Sequence, residues 1–312
     1  MTLTQLKYIV AVDKHRHFAT AADNSFVTQP TLSMQIHKLE DELGVVLFDR
    51  SKSPVVPTEI GEKVLEQARI ILQDARKITD IVQFQENSLS GKFRVGVIPT
   101  VAPYLVPRFL HSFLSEHPDV ELVFEESLTA TILDGLNNDE LDAGIIATPV
   151  ESAHIYMEDL YVEPFAAYLS KSHPLVDKDL LTIEDLEQTN IWLLNEGHCF
   201  RDQTVKICKE ATRNSGSEIE FRSGNLETLK RLVEQNYGMT LLPWTATQHA
   251  KESVSDSGAI IKEFSEPVPC RKVRLAYGRK HLKQSILKAF RDSITQSVPE
   301  KLLSTDQQMV IE

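Results

Sequence analysis

Residues 18 to 50, FATAADNSFVTQPTLSMQIHKLEDELGVVLFDR, predict a pair of short helices joined by a tight turn. The first helix is rich in alanine, and about four residues, NSFV, separate it from the second. Along the second helix an apolar stripe recurs at spacings of four, three and four, as one helix face does: Leu32, Ile36, Leu39 and Leu43. An earlier apolar stripe predicts a further helix before the pair, and it consists of Leu3, Leu6, Ile9 and Val10.

The start and the polar face of the second helix suit DNA recognition. Thr28 or Gln29 can cap this helix, and Pro30 fits its first turn, where a missing N–H costs nothing. Opposite the apolar stripe lies a polar face made of Thr31, Ser33, Gln35 and Lys38. Polar side chains near the N-terminus of the second helix of such a pair can reach base edges in the major groove. An ordinary solvated helix face is the alternative that these residues alone leave open.

Composition and charge fit a globular protein with a DNA-binding segment. The chain has 312 residues, 42% of them hydrophobic, which suits about two domains. A net charge of −12 argues against a coat of nucleic acid, but residues 1 to 58 carry six basic and six acidic side chains and can approach DNA. No run approaches the roughly 20 apolar residues of a membrane span and no leader peptide is visible, so we expect a cytoplasmic protein. The tract KHRH at residues 14 to 17 is interpreted as a polar loop between helices rather than a metal site.

A long helix follows the DNA-binding segment. No proline interrupts the chain from Thr58, a good cap, to about Asn87. An apolar stripe of near-heptad spacing runs along it and consists of Ile60, Val64, Ala68, Ile71, Ala75, Ile78 and Val82. Because such a stripe outside a compact core needs a partner, we predict homodimerisation through this helix. The polar segment NSLSGK, with Gly91, then predicts a hinge to a second domain.

Strands and helices alternate after this hinge. The pattern predicts strands at residues 93–98, 120–125 and 141–147, with helices that end near Glu116 and begin near Thr129. Such units build parallel sheets, whose ligands bind beyond the carboxyl ends of the strands. Thr100 follows the first strand, Thr129 follows the second, and IWLLNEGHC (191–199) predicts another strand that ends at His198 and Cys199. Helix capping is the simpler role for each threonine alone, but three equivalent strand ends predict one shared site.

Two of the three cysteines lie nine positions apart in LNEGHCFRDQTVKICKE, residues 194 to 210. The segment predicts a helix with Cys199 at its start. In an unbroken helix, Cys199 and Cys208 would lie roughly 13 Å apart along the axis, on opposite faces. A disulfide requires α-carbons within about 7 Å, so this pair could bond only if the helix unwound. Two buried free thiols are the alternative.

A motif runs through the first 50 residues without a gap and consists of Phe18, Ala21, Ala22, Gln29-Pro30-Thr31, Ser33, Gln35-Ile36, Leu39-Glu40, Leu43-Gly44, Leu47-Phe48 and Arg50. It resembles the winged helix-turn-helix of LysR-type bacterial transcriptional regulators. The resemblance implies an N-terminal all-α winged helix-turn-helix (1–58), a linker and dimerisation helix (59–87) and a two-subdomain α/β effector domain like periplasmic binding proteins (91–300). Subdomain I would comprise about 91–163 and 268–300, and subdomain II about 164–267. Arg50 and Lys52 would lie in the wing beside the DNA backbone, where phosphate contacts position the domain without reading sequence.

Three further segments, IPTVAPYLVP (98–107), GHCFRDQ followed by Cys208, and LETLKRLVEQNYGMTLLP (226–243), resemble the peroxide-sensing regulators of the OxyR type within that family. The resemblance implies that Cys199 reacts with hydrogen peroxide and that Cys208 closes the disulfide. It also implies a set of peroxide-binding residues: Thr100, Thr129, His198 and Arg271. Cys270 is not part of the family's pair and is expected to be a structural thiol, with mixed disulfides as the alternative.

The same resemblance implies the partners. They are an operator in double-stranded DNA, further copies of the chain as a dimer or tetramer, RNA polymerase, and a thiol reductant such as the glutaredoxin or thioredoxin system. No cofactor and no metal are required. We expect the C-terminal tail, STDQQMVIE, to be disordered.

The residues themselves agree with this chemistry. A cysteine at a helix start, beside His198 and near Arg201, should favour the thiolate, which is the nucleophilic form. Peroxide converts a thiolate to a sulfenic acid, which condenses with a second thiol, and the rearrangement of residues 199–208 would be the signal. We therefore expect a transcriptional activator of oxidative-stress genes and not an enzyme. The rivals are a regulator of the same fold that binds a small organic effector in the cleft between its subdomains, and a thiol peroxidase.

Overall fold

The computed structural model describes residues 1–83, 89–152, 154–186, 189, 191–208, 223–253, 258–278, 283–303 and 308–312. The chain divides into two compact units, Met1–Asn87 and Ser88–Glu312. The predicted fold class is confirmed, because the first unit is a winged helix-turn-helix with a long helix and the second is an α/β domain. The finer boundaries within each unit stay predictions. No helix in the described ranges is both long and apolar enough to cross a lipid bilayer.

Residues 1–83, the described part of the first unit, form four helices and a two-stranded wing. In chain order these are α1 (Leu3–His15), α2 (Phe18–Asn24), α3 (Gln29–Leu43), β1 (Phe48–Asp49), β2 (Val56–Pro57) and α4 (Glu59–Gln83). Leu32, Ile36 and Leu39 of α3 are fully buried, as their spacing predicts. Leu43 ends the helix and is 40% exposed, because the chain turns away at Gly44 in a left-handed conformation. Leu3, the first residue of α1, is also exposed.

The tract KHRH is divided between two helices. Lys14 and His15 form the last turn of α1, Arg16 ends that helix in a left-handed conformation, and His17 caps α2. The predicted polar loop is therefore only two residues long.

Part of the linker helix α4 packs into the core of its own unit and is not free to form the predicted dimerisation stripe. Leu65, Ala68 and Leu72 are buried against the helices of the same unit. Ile60 and Ile78 of the stripe are 44% and 68% exposed. Residues 65–72 of α4 thus complete the core of the helix-turn-helix, whereas Ile60 in the first turn and Ile78 in a later turn stay exposed. The side chain of Val82 and residues 87–88 of the predicted hinge NSLSGK (87–92) lie outside what the structure describes, and the last two residues of that segment, Gly91 and Lys92, already belong to a strand.

The second unit is built on one continuous set of strands with helices around it. Its elements are β3 (Gly91–Val97), α5 (Ala102–Glu116), β4 (Val120–Glu126), α6 (Thr129–Asn137), β5 (Ala143–Ile146), β6 (Ile155–Ser170), β7 (Ile191–Trp192), α7 (Cys199–Cys208), α8 (Leu226–Glu234), β8 (Met239–Pro243), α9 (Trp244–Ser253), β9 (Ala259–Lys262), β10 (Val268–Gly278), α10 (Gln284–Ser297) and β11 (Gln308–Val310). The strand order is β4-β3-β5-β10-β6-β8-β7, with β11 beside β10 and β9 beside β6.

Strand β6 joins two hydrophobic clusters. It pairs antiparallel with β10 as far as Pro164 and with β8 from Phe165 onward. The first cluster surrounds Phe93, Phe109 and Phe290 and includes β3, β5 and α5. The second cluster includes Phe165, Tyr168, Phe200, Cys208 and Leu241. The site described below lies where β3, β4 and the segment after β7 end.

Two predictions about strands are wrong. In the segment 191–199 the strand covers only Ile191–Trp192, Leu194 adds a single bridge to Ser223, and the chain turns at Gly197, whose φ is +93°, before Cys199. The tail is not wholly irregular, since Gln308–Val310 pairs in parallel with Val268–Cys270. The apolar side chain of Ile311 packs against the second cluster, which gives the tail a reason to be ordered. Residues 304–307 of the tail lie outside the described part of the chain.

Candidate functional site

A small cavity lies where three helices of the second unit begin. The cavity has a volume of about 10 Å³, which is room for about one water-sized molecule. Its lining comes from the segment before α5, the start of α6 and the start of α7: Ile98, Pro99, Thr100, Leu128, Thr129, Gly197, His198, Cys199 and Phe200. The predicted convergence of three strand ends therefore brings Thr100, Thr129, His198 and Cys199 to one place.

The cavity offers hydrogen-bond donors beside a sulfur. Cys199 is partly buried, and it is the first residue of α7, where backbone N–H groups and the helix dipole favour a negative charge. The Thr129 hydroxyl is buried and has no hydrogen-bond partner among the described residues. Because an unpaired buried hydroxyl is costly, this group is available to a small polar molecule in the cavity.

The turn before Cys199 depends on glycine. Gly197 has a φ of +93°, which L-residues rarely adopt, and an added Cβ would lie 3.2 Å from Leu128 Cδ1. His198 is buried, and burial lowers the pKa of its ring, so the imidazole is neutral at pH 7. The Arg201 guanidinium donates to the Leu194 carbonyl oxygen at 2.9 Å and lies 3.7 Å from the Glu196 carboxylate. The expected cationic support for Cys199 is thus not supplied by His198, and Arg201 is engaged elsewhere.

Arg271 stands behind Thr100 and is completely buried. Its Nη1 donates to Thr100 Oγ1 at 2.9 Å and its Nη2 donates to the Thr100 carbonyl oxygen at 3.1 Å. The Glu163 carboxylate accepts from Nε at 3.0 Å and from Nη2 at 2.8 Å. The predicted peroxide ligand Arg271 is not among the cavity-lining residues that the structure describes, so it reaches the cavity through Thr100.

Helix α7 carries the two predicted redox cysteines at its two ends. Its ten residues run without a break from Cys199 to Cys208. Nine steps of a regular helix separate the α-carbons by roughly 13 Å along the axis, which is beyond disulfide range. Cys199 packs against the first cluster, whereas Cys208 is buried in the second. A bond between their sulfurs therefore requires the helix to unwind and Cys208 to leave the second cluster.

The C-terminal tail holds α7 from outside. Gln203 is buried, and its Nε2 donates to the Ala147 carbonyl at 2.8 Å and to the Ile311 carbonyl at 3.2 Å. Lys206 Nζ donates to the main-chain oxygen of Glu312. Cys270 lies at the base of this tail, where its carbonyl accepts from the Ile311 N–H at 2.7 Å. Its sulfur is fully buried, as expected for a structural thiol.

The predicted DNA-binding residues lie on and before α3. Thr28, Gln29, Pro30, Thr31 and Lys38 are exposed, and Ser33 and Gln35 are half-buried. Thr28 caps α3 only through its backbone conformation, since its hydroxyl bonds to the Thr31 hydroxyl at 2.8 Å. The polar face of α3 is thus open to solvent in this unit.

The wing differs from the expectation at Arg50. Its Nη2 donates to Glu40 Oε2 at 2.7 Å, and its guanidinium lies 5.0 Å from the centre of the Phe18 ring. Glu40 is buried, and its other oxygen accepts from the Leu47 N–H at 2.8 Å. Arg50 therefore holds the wing to α3, and a phosphate would compete with Glu40 for it. Lys52 is the more accessible cation, with 63% of its side chain exposed.

Sequence reasoning missed several residues behind the cavity. Glu163 bonds to a residue 108 positions away, so no local pattern marks it. Gln203 ends the motif GHCFRDQ, but its bond to Ile311, also 108 positions away, has no local signal. Tyr104 lies within the segment IPTVAPYLVP, and its hydroxyl bonds to the Glu227 carboxylate. Burial and that carboxylate raise the pKa of Tyr104. The one local signal was the glycine at position 197 before the cysteine, since tight turns need glycine.

Comparisons with known families match nearly all of the chain. A family model described as the LysR substrate binding domain matches residues 86–299. A second model, described as a bacterial regulatory helix-turn-helix protein of the lysR family, matches residues 3–62.

The similar proteins are named as peroxide-responsive regulators. A hydrogen peroxide-inducible genes activator from Dickeya chrysanthemi is 36% identical over 277 residues, 89% of each chain. The DNA-binding transcriptional dual regulator OxyR from Escherichia coli K12 is 35% identical with the same coverage. A full-length cysteine-to-aspartate OxyR from Pseudomonas aeruginosa has a TM-score of 0.76 at 36% identity and covers 94% of both chains. A cysteine-to-serine mutant of Corynebacterium glutamicum OxyR with hydrogen peroxide bound has a TM-score of 0.62 at 30% identity and covers 95% of this chain and 92% of that one.

Proposed function

Because the chain belongs to the LysR family of bacterial transcriptional regulators and, within it, to the OxyR group, we propose that it senses hydrogen peroxide at Cys199 and activates oxidative-stress genes. The observation that carries the proposal is the cavity of about 10 Å³ in which Cys199 lies beside the Thr100 and Thr129 hydroxyls. Room for about one water-sized molecule favours a ligand as small as peroxide over an organic effector. His198 supplies a neutral ring, which can donate or accept a hydrogen bond.

The chemistry begins at the start of α7. The Cys199 thiolate attacks one peroxide oxygen, a sulfur–oxygen bond forms, and the oxygen–oxygen bond breaks. The second oxygen leaves as hydroxide and takes a proton from solvent to become water, which leaves a sulfenic acid on Cys199. The Cys208 thiol then attacks this sulfur, a second water leaves, and a disulfide remains.

The conformational change follows from the length of α7. The disulfide cannot form while the helix from Cys199 to Cys208 is intact, so the reduced protein keeps the helix and the oxidised protein loses it. A covalent bond thus stabilises an arrangement that packing alone disfavours, which is how a local oxidation becomes a change of state. A thiol reductant, such as the glutaredoxin or thioredoxin system, resets the switch by disulfide exchange.

The remaining partners follow from the first unit. The polar face of α3 reads an operator in double-stranded DNA through Thr28, Gln29, Pro30, Thr31, Ser33, Gln35 and Lys38, with Arg50 and Lys52 in the wing. The open turns of α4 pair two copies, which can associate further as a tetramer, and the DNA-bound assembly contacts RNA polymerase. The protein works in the cytoplasm as a regulator and not as an enzyme.

Mass measurement and peptide mapping without reductant, after a stoichiometric dose of peroxide, test the proposal. The protein should lose two hydrogen atoms, and the map should link Cys199 to Cys208. Cys208→Ser should instead gain one oxygen atom at Cys199, and Cys199→Ser should not react.

Two results would favour the rivals. Transcriptional activation retained in Cys199→Ser would indicate an organic effector. Steady-state peroxide turnover with a reductant, in protein that does not activate transcription on oxidation, would indicate a thiol peroxidase. A link between Cys199 and Cys270 would show that the proposed pair is wrong.

A further inference from the structure

We propose that Glu163 is a positioning residue for the oxidation of Cys199. Acting through Arg271, it fixes the Thr100 hydroxyl as a hydrogen-bond donor into the cavity. This inference rests on the proposed function, because it concerns the reaction of that same cavity with peroxide.

The ion pair between Glu163 and Arg271 is rigid and dry. The two residues stand directly opposite each other on β6 and β10, and both side chains are completely buried. Glu163 Oε2 accepts from Arg271 Nε at 3.0 Å and from Nη2 at 2.8 Å. Glu163 Oε1 accepts from the Thr245 N–H at 3.0 Å and from the Thr245 hydroxyl. The Glu163 carboxylate accepts four hydrogen bonds, which fix its orientation. The carboxylate in turn fixes the orientation of the Arg271 guanidinium, which donates two of them.

This orientation sets the polarity of the Thr100 hydroxyl. A guanidinium only donates, so Thr100 Oγ1 must accept from Arg271 Nη1, 2.9 Å away. Nη2 also donates to the Thr100 carbonyl at 3.1 Å, which fixes the threonine backbone to the same group. The hydroxyl hydrogen cannot point back at the arginine. Thr100 lines the cavity, and this hydrogen is therefore available to whatever lies there.

The Phe200 ring packs against the arginine. The guanidinium carbon lies 5.1 Å from the centre of this ring, and Phe200 follows Cys199 on α7. Arg271 is not among the residues that line the cavity in the described part of the chain, and its hydrogen bond to Thr100 connects it to that lining. By contrast, Thr129 Oγ1 has no hydrogen-bond partner among the described residues, so its hydroxyl is free to rotate. The ion pair therefore orients the Thr100 hydroxyl and not the Thr129 hydroxyl.

An oriented donor has a specific effect on this reaction. When the thiolate attacks one peroxide oxygen, the oxygen–oxygen bond breaks and negative charge develops on the leaving oxygen. A donor already aimed at that oxygen stabilises the transition state without reorganising. Alkylation of the same thiolate by iodoacetamide expels iodide and has no leaving oxygen for the donor to stabilise. The ratio of the two rate constants therefore reports positioning and not the general reactivity of the thiolate.

Variants at Thr245 test the inference with little risk to folding. Thr245→Val removes the hydroxyl that bonds to Glu163 but keeps the backbone donor, whereas Thr245→Ser restores a hydroxyl. Thr247→Val is a matched control, since Thr247 is equally buried on α9 but its hydroxyl bonds to the Trp244 carbonyl. In the full-length reduced protein we expect Thr245→Val to lower the peroxide rate constant of Cys199 several-fold and Glu163→Gln to lower it roughly tenfold or more. Iodoacetamide rates should stay within about twofold, and Thr245→Ser and Thr247→Val should match wild type.

A second background separates positioning from a purely structural role. Thr100→Val removes the hydroxyl that Glu163 and Arg271 orient, so adding Thr245→Val to this variant should slow peroxide oxidation no further. An equal loss in both backgrounds, or equal losses of the peroxide and iodoacetamide rates, would overturn the inference. If peroxide oxidises Cys199 of the wild type and the Thr245 and Glu163 variants react at the same rate, this inference is wrong and the proposed function still stands. Wild-type protein whose Cys199 does not react with peroxide would instead reject the proposed function.

Discussion

Burial gives the cysteine thiols of the second unit different chemistry. Cys208 is 2% exposed, and burial raises the pKa of its thiol to about 12. Burial likewise raises the pKa of Cys270 to about 11. Both are protonated at neutral pH, and a protonated thiol is a poor nucleophile. Cys199 alone lies at the cavity and at a helix start, so burial of the other two sulfurs directs the first oxidation to it.

The raised pKa of Cys208 makes folding stability depend on alkaline pH. In the unfolded chain this thiol ionises near its ordinary value of 9.0, whereas in the folded protein it stays protonated up to about 12. Stability is therefore fully present below pH 9 and is lost as the pH rises toward 12, by at most about 1.4 kcal/mol per pH unit from this group. Urea unfolding of wild type and Cys208→Ala between pH 7 and 10.5 measures it. The difference between the two free energies of unfolding should shrink above pH 9, and a constant difference would contradict the burial argument.

The wing and helix α3 are joined by one buried carboxylate. Glu40 accepts from the Leu47 N–H at the entry to β1 and from Arg50 just after the strand. Removing Arg50 leaves this carboxylate without its cation, which costs more than removing an exposed pair. Arg50, for which the family resemblance implies phosphate contacts, thus has a structural role as well.

We expect Arg50→Ala to destabilise the first unit by about 1–3 kcal/mol. Hydrogen exchange of the Leu47 amide should accelerate accordingly, because its acceptor loses its anchor. Lys52→Ala is the control, because the Lys52 side chain is 63% exposed and its ion pair with Asp49 is long, at 3.7 Å. Such an exposed pair contributes little to stability.

The same two variants separate stability from DNA binding. Lys52→Ala should keep wild-type stability and reduce the salt dependence of DNA binding by about one phosphate contact. Equal stability of Arg50→Ala and wild type would contradict the structural role of Arg50.

Elements that depend on local patterns were predictable, and those that depend on distant contacts were not. The start of α7 at Cys199 and of α6 at Thr129 follows from helix signals within a few residues. The pairing of Glu163 with Arg271 needed the register of β6 against β10, which no single stretch of sequence contains. The tail strand was missed for the same reason, because its apolar residues have meaning only beside Cys270 and α7.

The proposed pairing of copies would use the later turns of α4. Ile78 is 68% exposed, whereas Ile71 packs partly against the core of its own unit. Ile78→Asp should therefore lower the oligomeric state without unfolding the helix-turn-helix, because it places a charge only at the seam between copies. Gln67→Asp is the matched control, an exposed position on the same helix. Sedimentation velocity at equal concentration measures both, and an intact oligomer in Ile78→Asp would place the seam elsewhere.

Oxidation should change the protection of one helix while its neighbour stays as it was. Helix α7 joins both clusters, with Cys199 against the first and Cys208, Ile207 and Phe200 in the second. A disulfide between its ends cannot coexist with ten helical residues, so the hydrogen bonds of α7 and the Gln203 bond to Ile311 must break together. We expect peptides of residues 199–208 and 308–312 to exchange amide hydrogens much faster after peroxide treatment. Helix α8, at residues 226–234 in the same cluster, is the internal control and should change little. Unchanged protection of 199–208 in protein mapped as fully disulfide-bonded would mean that the strain is relieved outside α7, and the proposed origin of the signal would be wrong.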